Sequence, residues 1–501
     1  MDERVPLIKR DNSSLQQKKN SHKSEYTKAK LSLFVMINYF AIEFAGLTQP
    51  QYIYSYLENA LESNNTSVDI HNNISSNHQN NCFNKSSSSA DESREQASSW
   101  TWYISLAEYG VAFPVLFYIG PLTDRIGRKP LLLYNTVMVF ISFVLKTIVV
   151  YGRFPLQYYV AASAIEGLAG TPFAFNLINH AIIADTTTLG NDRSLMMMIY
   201  DALLGLGAIC SNIGTGYLIQ LLGFTYPYLV SSGLLLILPI LIFCTLEETW
   251  KPPKDKSKTS VFKLPIKNFT LCFKRQHVSN KLGYFIANLF ILLLVIFPYT
   301  SISSILTLFL LGEPFCWTSE HIGWYNAGVD FVKYIGGTTM LKIMHSCCVW
   351  LKDEIIIVFA MLSSIAYLIL MGFSNNDWMV YGAGFAAIFR VLCIPLLKAT
   401  LSRKVNPTKQ GVMFSNVYLF EVLSVLSGST TFNNIYRQTL TVYRGFIFFI
   451  MAGFPVSGLI LMGFVSCFDS TTIQKELVIE KVDIQVPSSE NDVKGVLITQ
   501  I

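Results

Sequence analysis

Ionisable side chains inside long apolar segments are the residues of this sequence whose types could support chemistry. Acids lie in such segments at Glu43, Glu108, Glu166, Asp201, Asp330 and Glu421, and bases at Lys333, Arg390 and Lys398. A charged group at membrane depth is costly, and it usually faces a polar cavity in which it binds an ion, a proton or a solute. These residues therefore predict the binding and release of charged species within a membrane.

The acids are candidates for binding a proton, because carboxyl groups form the proton relays of many membrane proteins. Asp201 and Glu421 are favoured, since neither has an obvious partner in its own helix. Glu166 and Glu43 are further candidates. Glu108 is open to two interpretations, as a structural partner or as a functional acid.

The basic residues are candidates for binding a substrate. Arg390 and Lys398 favour a substrate that carries carboxylates, but Arg390 could instead pair with one of the acids. Asp330 and Lys333 are three residues apart on one helical face, so they either neutralise each other or contribute to a substrate site. Lys146, near the outer end of its apolar segment, is expected to extend its ammonium toward the interface with water.

The composition as a whole indicates a membrane protein. Hydrophobic residues make up 51% of the 501 residues and charged residues 14%, with a mean hydropathy of +0.40. Soluble domains usually carry about 25% charged residues. Apolar runs of about 20 residues, the length of a membrane-crossing helix, alternate with polar gaps. The start of the sequence is polar, so we expect no cleavable signal peptide.

Several functional classes are disfavoured. The nine cysteines include no CxxC pair, so no zinc site is expected. No nucleophile, histidine and acid follow a catalytic pattern, so the sequence predicts neither an enzyme nor a cofactor. His180, beside Asn179, is interpreted as a satisfied polar neighbour. The net charge of +5 comes from basic residues in alternate gaps, a pattern that argues against nucleic acid.

The sequence predicts an all-α membrane protein with twelve spans. A basic linker at 248–283 separates the first six spans (31–247) from the last six (284–467), with tails at 1–30 and 468–501. From span one to span twelve the approximate bounds are 31–53, 99–121, 130–151, 155–184, 195–222, 226–246, 284–311, 321–344, 354–373, 379–398, 411–433 and 443–467.

Lysines and arginines predict the orientation of the spans. They are concentrated in the N-terminal tail and in the linker, and the gaps after spans five, seven and nine contain none. Since basic residues favour the cytoplasmic side, both termini and the linker are predicted to be cytoplasmic. The loop 54–98 would then face outward or into a lumen, and it carries glycosylation sites at Asn64, Asn65, Asn73 and Asn84.

The loop between spans two and three reads GPLTDRIGRKP at 120–130. It resembles the first signature of the major facilitator superfamily, G-x-L-x-D-R-x-G-R-K, which implies two six-helix bundles with a substrate site near the bilayer midplane. Gly120 and Gly127 allow the tight turn. Asp124 is expected to accept hydrogen bonds from a helix N-terminus or to pair with a basic neighbour. The bases are expected to reach acidic partners or lipid phosphates; they are Arg125, Arg128 and Lys129.

Further motifs resemble solute carrier family 46, the proton-coupled folate transporter family. They include PFCW at 314–317 with Ile322-Gly323, IAD at 183–185 with Arg193, and FNNIY at 432–436. The resemblance runs diffusely from span one to span twelve. It implies a secondary active transporter, coupled to protons, of an organic anion that is folate-like or a lysosomal catabolite.

The same resemblance implies roles for single residues. Asp201 lies where the folate carriers have a glutamate linked to proton coupling, and Lys398 where they have an arginine linked to substrate and proton binding. Cys82 and Cys316 resemble a pair that forms a disulfide between two outer loops. Tyr299 lies where those carriers have a histidine in span seven. It remains a candidate for substrate binding, but a phenol does not titrate near neutral pH, and this departure argues against a folate carrier. Asp201 and Glu421 resemble the lysosomal branch of the family more closely.

The N-terminal tail contains ERVPLI at 3–8, which fits an acidic dileucine sorting signal for an adaptor through Glu3, Leu7 and Ile8. Such short motifs also occur by chance, so the lysosomal and the plasma membrane both remain open. A second functional class is open as well, a receptor or sensor that binds a solute on this scaffold without transporting it. The complete loop at 120–129 favours transport, because it indicates that conformational cycling is retained.

Overall fold

The structure is a computed structural model that describes residues 6–65, 87–187, 191–250, 282–347, 353–403, 410–440 and 442–464. In these ranges the regular secondary structure is helical, without a strand. The predicted all-α membrane fold is confirmed. We name the inner and outer ends of the helices by the predicted orientation, which stays a prediction.

Eight helices in the described ranges are long and apolar enough to cross a membrane. Large apolar side chains on them, such as Leu221 (74% exposed) and Phe243 (68% exposed), face away from the protein, which suits contact with lipid. The helices coincide with spans one, two, three, five, six, seven, nine and twelve, and their bounds are Pro6–Asn65, Ser87–Ile126, Arg128–Tyr151, Asn191–Leu222, Thr225–Thr245, Leu282–Leu311, Asp353–Gly372 and Phe446–Phe464.

The other four predicted spans are broken or polar, and with the bent pair of span ten the described helices give nine crossings by length and composition. The full count of twelve stays a prediction. Span four consists of Leu156–Ala169 and Thr171–Thr186; span eight of Ser319–Phe331, a π-helical turn at Val332–Gly336, and Gly337–Cys347; span ten of Asp377–Ala386, a 3-10 turn at Arg390–Leu392, and Cys393–Arg403; and span eleven of Gln410–Thr439.

The break in span four is built by Gly170 and by the side chain of Asn135. Gly170 has a φ of 84°, a left-handed conformation that glycine adopts without strain. The amide of Asn135, on span three, donates hydrogen bonds to the carbonyl oxygens of Ala169 at 2.9 Å and Thr171 at 3.2 Å. Backbone groups at the break are therefore satisfied inside the bundle, as an apolar environment requires.

Ser363 of span nine supports the break in span ten in the same way. Its hydroxyl accepts a hydrogen bond from the backbone N–H of Phe389 at 3.2 Å and donates one to the carbonyl of Ala386. Arg390 follows directly, at the start of the 3-10 turn. The break thus changes the direction in which Arg390 leaves the backbone.

The two bundles contact each other through spans two and eleven and through spans five and eight. In the first pair, Ser98 Oγ donates a hydrogen bond to the carbonyl of Asn433 at 2.8 Å. In the second pair, a Cβ atom added to Gly323 would lie 2.6 Å from the carbonyl oxygen of Asn212. Absence of a side chain at Gly323 therefore lets spans five and eight approach closely.

Candidate functional site

An ion pair in span eight lies between the two bundles. Lys333 Nζ is 2.6 Å from Asp330 Oδ1, and Asn212 of span five donates a hydrogen bond to Asp330 Oδ2 at 2.8 Å. Lys333 belongs to the π-helical turn, an irregularity that is frequent at functional sites. The carboxylate of Asp330 is therefore held from both bundles.

Glu43 approaches this ion pair from span one. It interacts electrostatically with Asp330, which repels its carboxylate, and with Lys333, which attracts it. Within the described part of the chain, Glu43 forms neither a hydrogen bond nor an ion pair closer than 4.0 Å. Its carboxyl group can therefore accept a proton without breaking a bond to these residues.

Arg390 is buried between two aromatic rings. Its guanidinium carbon lies 4.6 Å from the ring centre of Tyr299 in span seven and 4.9 Å from that of Tyr367 in span nine. The residue is 5% exposed, its Nε lacks a hydrogen-bond partner, and no carboxylate among the described residues pairs with it. Cation–π contacts stabilise a desolvated cation by about 2 kcal/mol, less than an unpaired buried charge costs. The geometry leaves Arg390 able to bind an anion.

A second ion pair joins spans ten and eleven. Lys398 Nζ is 2.6 Å from Glu421 Oε1, and the same ammonium lies 4.7 Å from the ring centre of Tyr418. The hydroxyl of Tyr418 is 3.1 Å from Nδ1 of His180 in span four. Glu421 and Lys398 are thus linked to the N-terminal bundle through Tyr418, and His180 is the polar neighbour that the sequence indicates.

Lys146 and Glu166 form a third ion pair, inside the N-terminal bundle. Their Nζ and Oε2 atoms are 2.5 Å apart, and both side chains are 4% exposed. The expectation that Lys146 extends toward water is wrong. Glu166 offers it a buried countercharge, and pairing satisfies both groups where a solitary carboxylate would be costly.

The signature loop is held by Arg128. Its guanidinium contacts Asp124 Oδ1 at 2.7 Å and Asp185 Oδ2 at 3.1 Å, and donates a hydrogen bond to Thr123 Oγ1 at 2.5 Å. Of the two roles expected for Asp124, the structure shows the pairing with a basic neighbour. Arg128 therefore ties the inner end of span two to that of span four.

The helix N-terminus in this loop is bound by Glu248 instead. The backbone N–H groups of Arg128 and Lys129 donate to its two carboxylate oxygens at 2.9 and 3.1 Å, an arrangement that the helix dipole favours. Gly127 has a φ of 116°, and a Cβ atom there would lie 2.5 Å from Glu248. Glu248, three residues after the end of the span-six helix at Thr245, thereby closes the loop from the other side.

Sequence reasoning missed the partners that surround these charges. Tyr367 and Tyr418, which hold cations, are residue types that are common in any apolar span. Asn212 and Glu248 lie far in sequence from the groups they bind. Only the IAD motif carried a signal, since it contains Asp185, the partner of Arg128.

Several predicted site residues, or their predicted partners, lie wholly or partly outside the described part of the chain. Asp201 lies on the described helix Asn191–Leu222, but its side chain is outside the described part of the chain. Cys316 is disulfide-bonded; its predicted partner Cys82 lies outside the described residues, so this pairing stays a prediction. The same holds for Glu3, Asn73 and Asn84, and for the side chains of Leu7, Ile8, Asn64 and Asn65.

Two helical bundles with charged groups held between them define a class of protein, the polytopic membrane transporters. The chain belongs to the Major Facilitator Superfamily, whose family model matches residues 31–429. It is therefore a transporter and not an enzyme.

Relatives of known function agree with this assignment. The chain is similar to the proton-coupled folate transporter of Rattus norvegicus, with 25% identity over 435 residues that cover 86% of this chain and 90% of the relative. It is also similar to the lysosomal proton-coupled steroid conjugate and bile acid symporter SLC46A3 of Gallus gallus, with 27% identity over 365 residues that cover 72% and 77%. The predicted resemblance to solute carrier family 46 is confirmed.

Solved structures show the same fold. The human organic anion transporter MFSD10 (TETRAN) has a TM-score of 0.65 at 15% identity, with 88% of this chain and 99% of that chain covered. A POT family transporter in complex with 5-aminolevulinic acid has a TM-score of 0.60 at 13% identity, with 88% and 96% covered. At such identities the likeness concerns the fold alone.

Proposed function

We propose that this protein couples the movement of protons to the transport of an organic anion by alternating access. The observation that carries the proposal is Arg390, a buried cation with no carboxylate partner among the described residues. An arginine in this setting binds a carboxylate or a related oxyanion with strong, oriented hydrogen bonds. The substrate would supply the negative charge that no described carboxylate provides to Arg390.

The aromatic rings around Arg390 support an organic substrate rather than an inorganic ion. Tyr299 and Tyr367 both contact the guanidinium, so a ligand that reaches it also meets aromatic surface. Folate and bile acids, named for the relatives, combine a carboxylate with a large ring system. We infer a substrate of that kind, with Lys333, Asp330 and Lys398 as further binding residues.

The proton is assigned to the acids near this site. Glu43 is supported by its unpaired carboxyl group, and Glu421 by its position in the link between the bundles. Asp201 remains a candidate through the resemblance, and Glu166 is engaged by Lys146. A phenol at Tyr299 leaves these carboxyl groups, and not span seven, to carry the coupled proton.

The location of the protein is part of the proposal. A multi-pass membrane protein whose relatives include lysosomal symporters fits a lysosomal or a plasma membrane, with both termini and the linker 248–283 in the cytoplasm. The dileucine motif at Glu3, Leu7 and Ile8 would direct sorting. The disulfide between Cys82 and Cys316 and the glycans on Asn64, Asn65, Asn73 and Asn84 would mark the outer side.

The proposal is tested by uptake into proteoliposomes with an acidic exterior. A panel of tritiated folate, cholate and a muropeptide is compared at acidic and neutral outside pH. We expect at least one anion to accumulate, and to accumulate more from the acidic side. Binding without accumulation would instead support the receptor that shares this scaffold.

A further inference from the structure

A second group of charges lies inside the N-terminal bundle. It is formed by Lys146 of span three, Glu166 of span four and Glu108 of span two. Glu108 is 8% exposed, and it interacts electrostatically with both Glu166 and Lys146. Gly167, next to Glu166, packs against the carbonyl of Glu108 and brings spans two and four into contact.

The charges in this group do not balance when every side chain is ionised. Two carboxylates face one ammonium, and Lys146 is engaged by Glu166 at 2.5 Å. The hydroxyls of Tyr159 and Tyr228 bond to each other at 2.7 Å nearby and bring no further cation. An excess negative charge in a buried site is costly, whereas one added proton makes the group neutral.

This group is connected to the interface between the bundles. Tyr109 interacts electrostatically with Glu108, Glu166 and Glu43, and its helix in span two packs against spans one and four. Glu43 in turn faces Asp330 and Lys333. The acids therefore form a series from the interior of the N-terminal bundle to the proposed substrate site.

We propose that Glu108 carries the coupled proton and exchanges it with Glu43 past Tyr109. The protonated carboxyl of Glu108 gives its proton to the carboxylate of Glu43, so one of the two acids is neutral and the other ionised both before and after the step. Lys146 and Glu166 are positioning residues, because Glu166 engages the ammonium of Lys146 at 2.5 Å and repels a second carboxylate at Glu108. This assignment rests on the proposed function, and it makes Glu108, rather than Glu166, the acid of this group that binds the proton.

The test compares Glu108→Gln with Glu95→Gln in proteoliposomes. Glu95 lies on the same helix as Glu108, but its carboxylate is 46% exposed in an ion pair with Arg437, so it is the matched control. The probes are tritiated folate and tritiated cholate, with pyranine inside the vesicles to record proton entry. Each variant is measured for accumulation driven by a pH gradient and for counterflow exchange, which needs no net proton movement.

We expect Glu108→Gln to keep counterflow within about twofold of the unaltered protein, because an amide replaces a neutral acid with little structural change. Driven accumulation and proton entry are expected to be lost, and Glu95→Gln to keep all three. A Glu108→Gln variant that accumulates solute and admits protons like the unaltered protein overturns the assignment.

If Glu108→Gln does not fold, Glu108→Asp keeps the carboxyl group but moves it, and the pH midpoint of accumulation must shift; an unchanged midpoint counts against the assignment. If the unaltered protein shows counterflow but no driven accumulation, the proposed function fails and the role of Glu108 fails with it. Failure of Glu108 alone leaves driven accumulation by the unaltered protein intact.

Discussion

The guanidinium carbon of Arg390 lies 4.6 Å from the centre of the Tyr299 ring. Tyr299 lies where the folate carriers, which this chain resembles, have a histidine in span seven. A histidine gains and loses charge near neutral pH. Here a tyrosine ring instead faces a permanently charged arginine. In the proposed function the site separates two tasks, since Arg390 would hold the anion at every pH and the carboxyl groups would carry the proton.

Loss of the Arg390 charge is expected to weaken anion binding. Charge-assisted hydrogen bonds contribute about 1.5–3 kcal/mol, so Arg390→Gln should weaken apparent affinity about 10-fold to 150-fold. Arg390→Lys should recover only part of it, because an ammonium cannot form the bidentate contact. KM for tritiated folate or cholate is the measurement. The control is Arg437→Gln at the outer end, where the guanidinium is 43% exposed; if this variant weakens uptake equally, the anion site is elsewhere.

The ring of Tyr299 is expected to contribute to substrate binding, and its hydroxyl is not. Tyr299→Phe keeps the aromatic face over Arg390 and should keep KM within about twofold, whereas Tyr299→Leu removes a cation–π contact that contributes up to about 2 kcal/mol. A rise in KM of about 5-fold to 30-fold is predicted for the leucine variant. Equal KM values for the two variants would contradict the aromatic contact.

Removal of Lys398 is expected to destabilise the fold. Its partner Glu421 is buried, and the loss of one member of a buried ion pair costs about 3–5 kcal/mol. Lys398→Met should therefore lower the melting temperature in detergent, and Lys398→Met with Glu421→Gln should regain much of it. Fluorescence-detected unfolding checks both variants. No rescue by the double substitution would mean that the two side chains act independently.

Gly120 and Ser415 form a contact between the inner ends of spans two and eleven. A Cβ atom on Gly120 would overlap the hydroxyl of Ser415, and overpacking of this kind costs about 1–3 kcal/mol. Gly120→Ala should therefore slow transport by disfavouring closure of the inner side. Adding Ser415→Gly removes the clash and should restore the rate, which initial uptake measures. A Gly120→Ala variant with an unchanged rate would show that this contact does not limit cycling.

The apolar spans could be predicted from the sequence, because about 20 apolar residues in a row fit few other structures. Four predicted spans departed from that simple pattern, and they carry Glu166, the pair Asp330 and Lys333, the residues Arg390 and Lys398, and Glu421. Breaks and polar side chains are tolerated only where the backbone lines a cavity or is satisfied by neighbours. The irregular spans therefore carry these charged groups, whereas Asn212, Tyr299 and Tyr367 complete the site from regular spans.

The partners of the charges could not be predicted with the same security. Lys146 and Glu166 stand at different distances from the turn that joins spans three and four, and a flexible lysine side chain bridges the difference. Pairing between side chains of different helices depends on how each helix is rotated about its axis and on how deep each residue lies in the membrane. A single sequence specifies neither. The signature loop at 120–129 could be predicted, because its glycines and charged residues lie within one turn of the chain. The contact of Glu248 with this loop could not, because it joins residues far apart in sequence.

Simultaneous recording of solute and proton fluxes is the decisive measurement of proton-coupled transport. Proteoliposomes that contain the unaltered protein and pyranine receive tritiated folate or cholate at an acidic outside pH. We expect solute to accumulate above its outside concentration, the interior to acidify as solute enters, and a protonophore to abolish the accumulation. Solute entry that is equal with and without the pH gradient, and that brings no proton with it, would contradict proton-coupled transport by this protein.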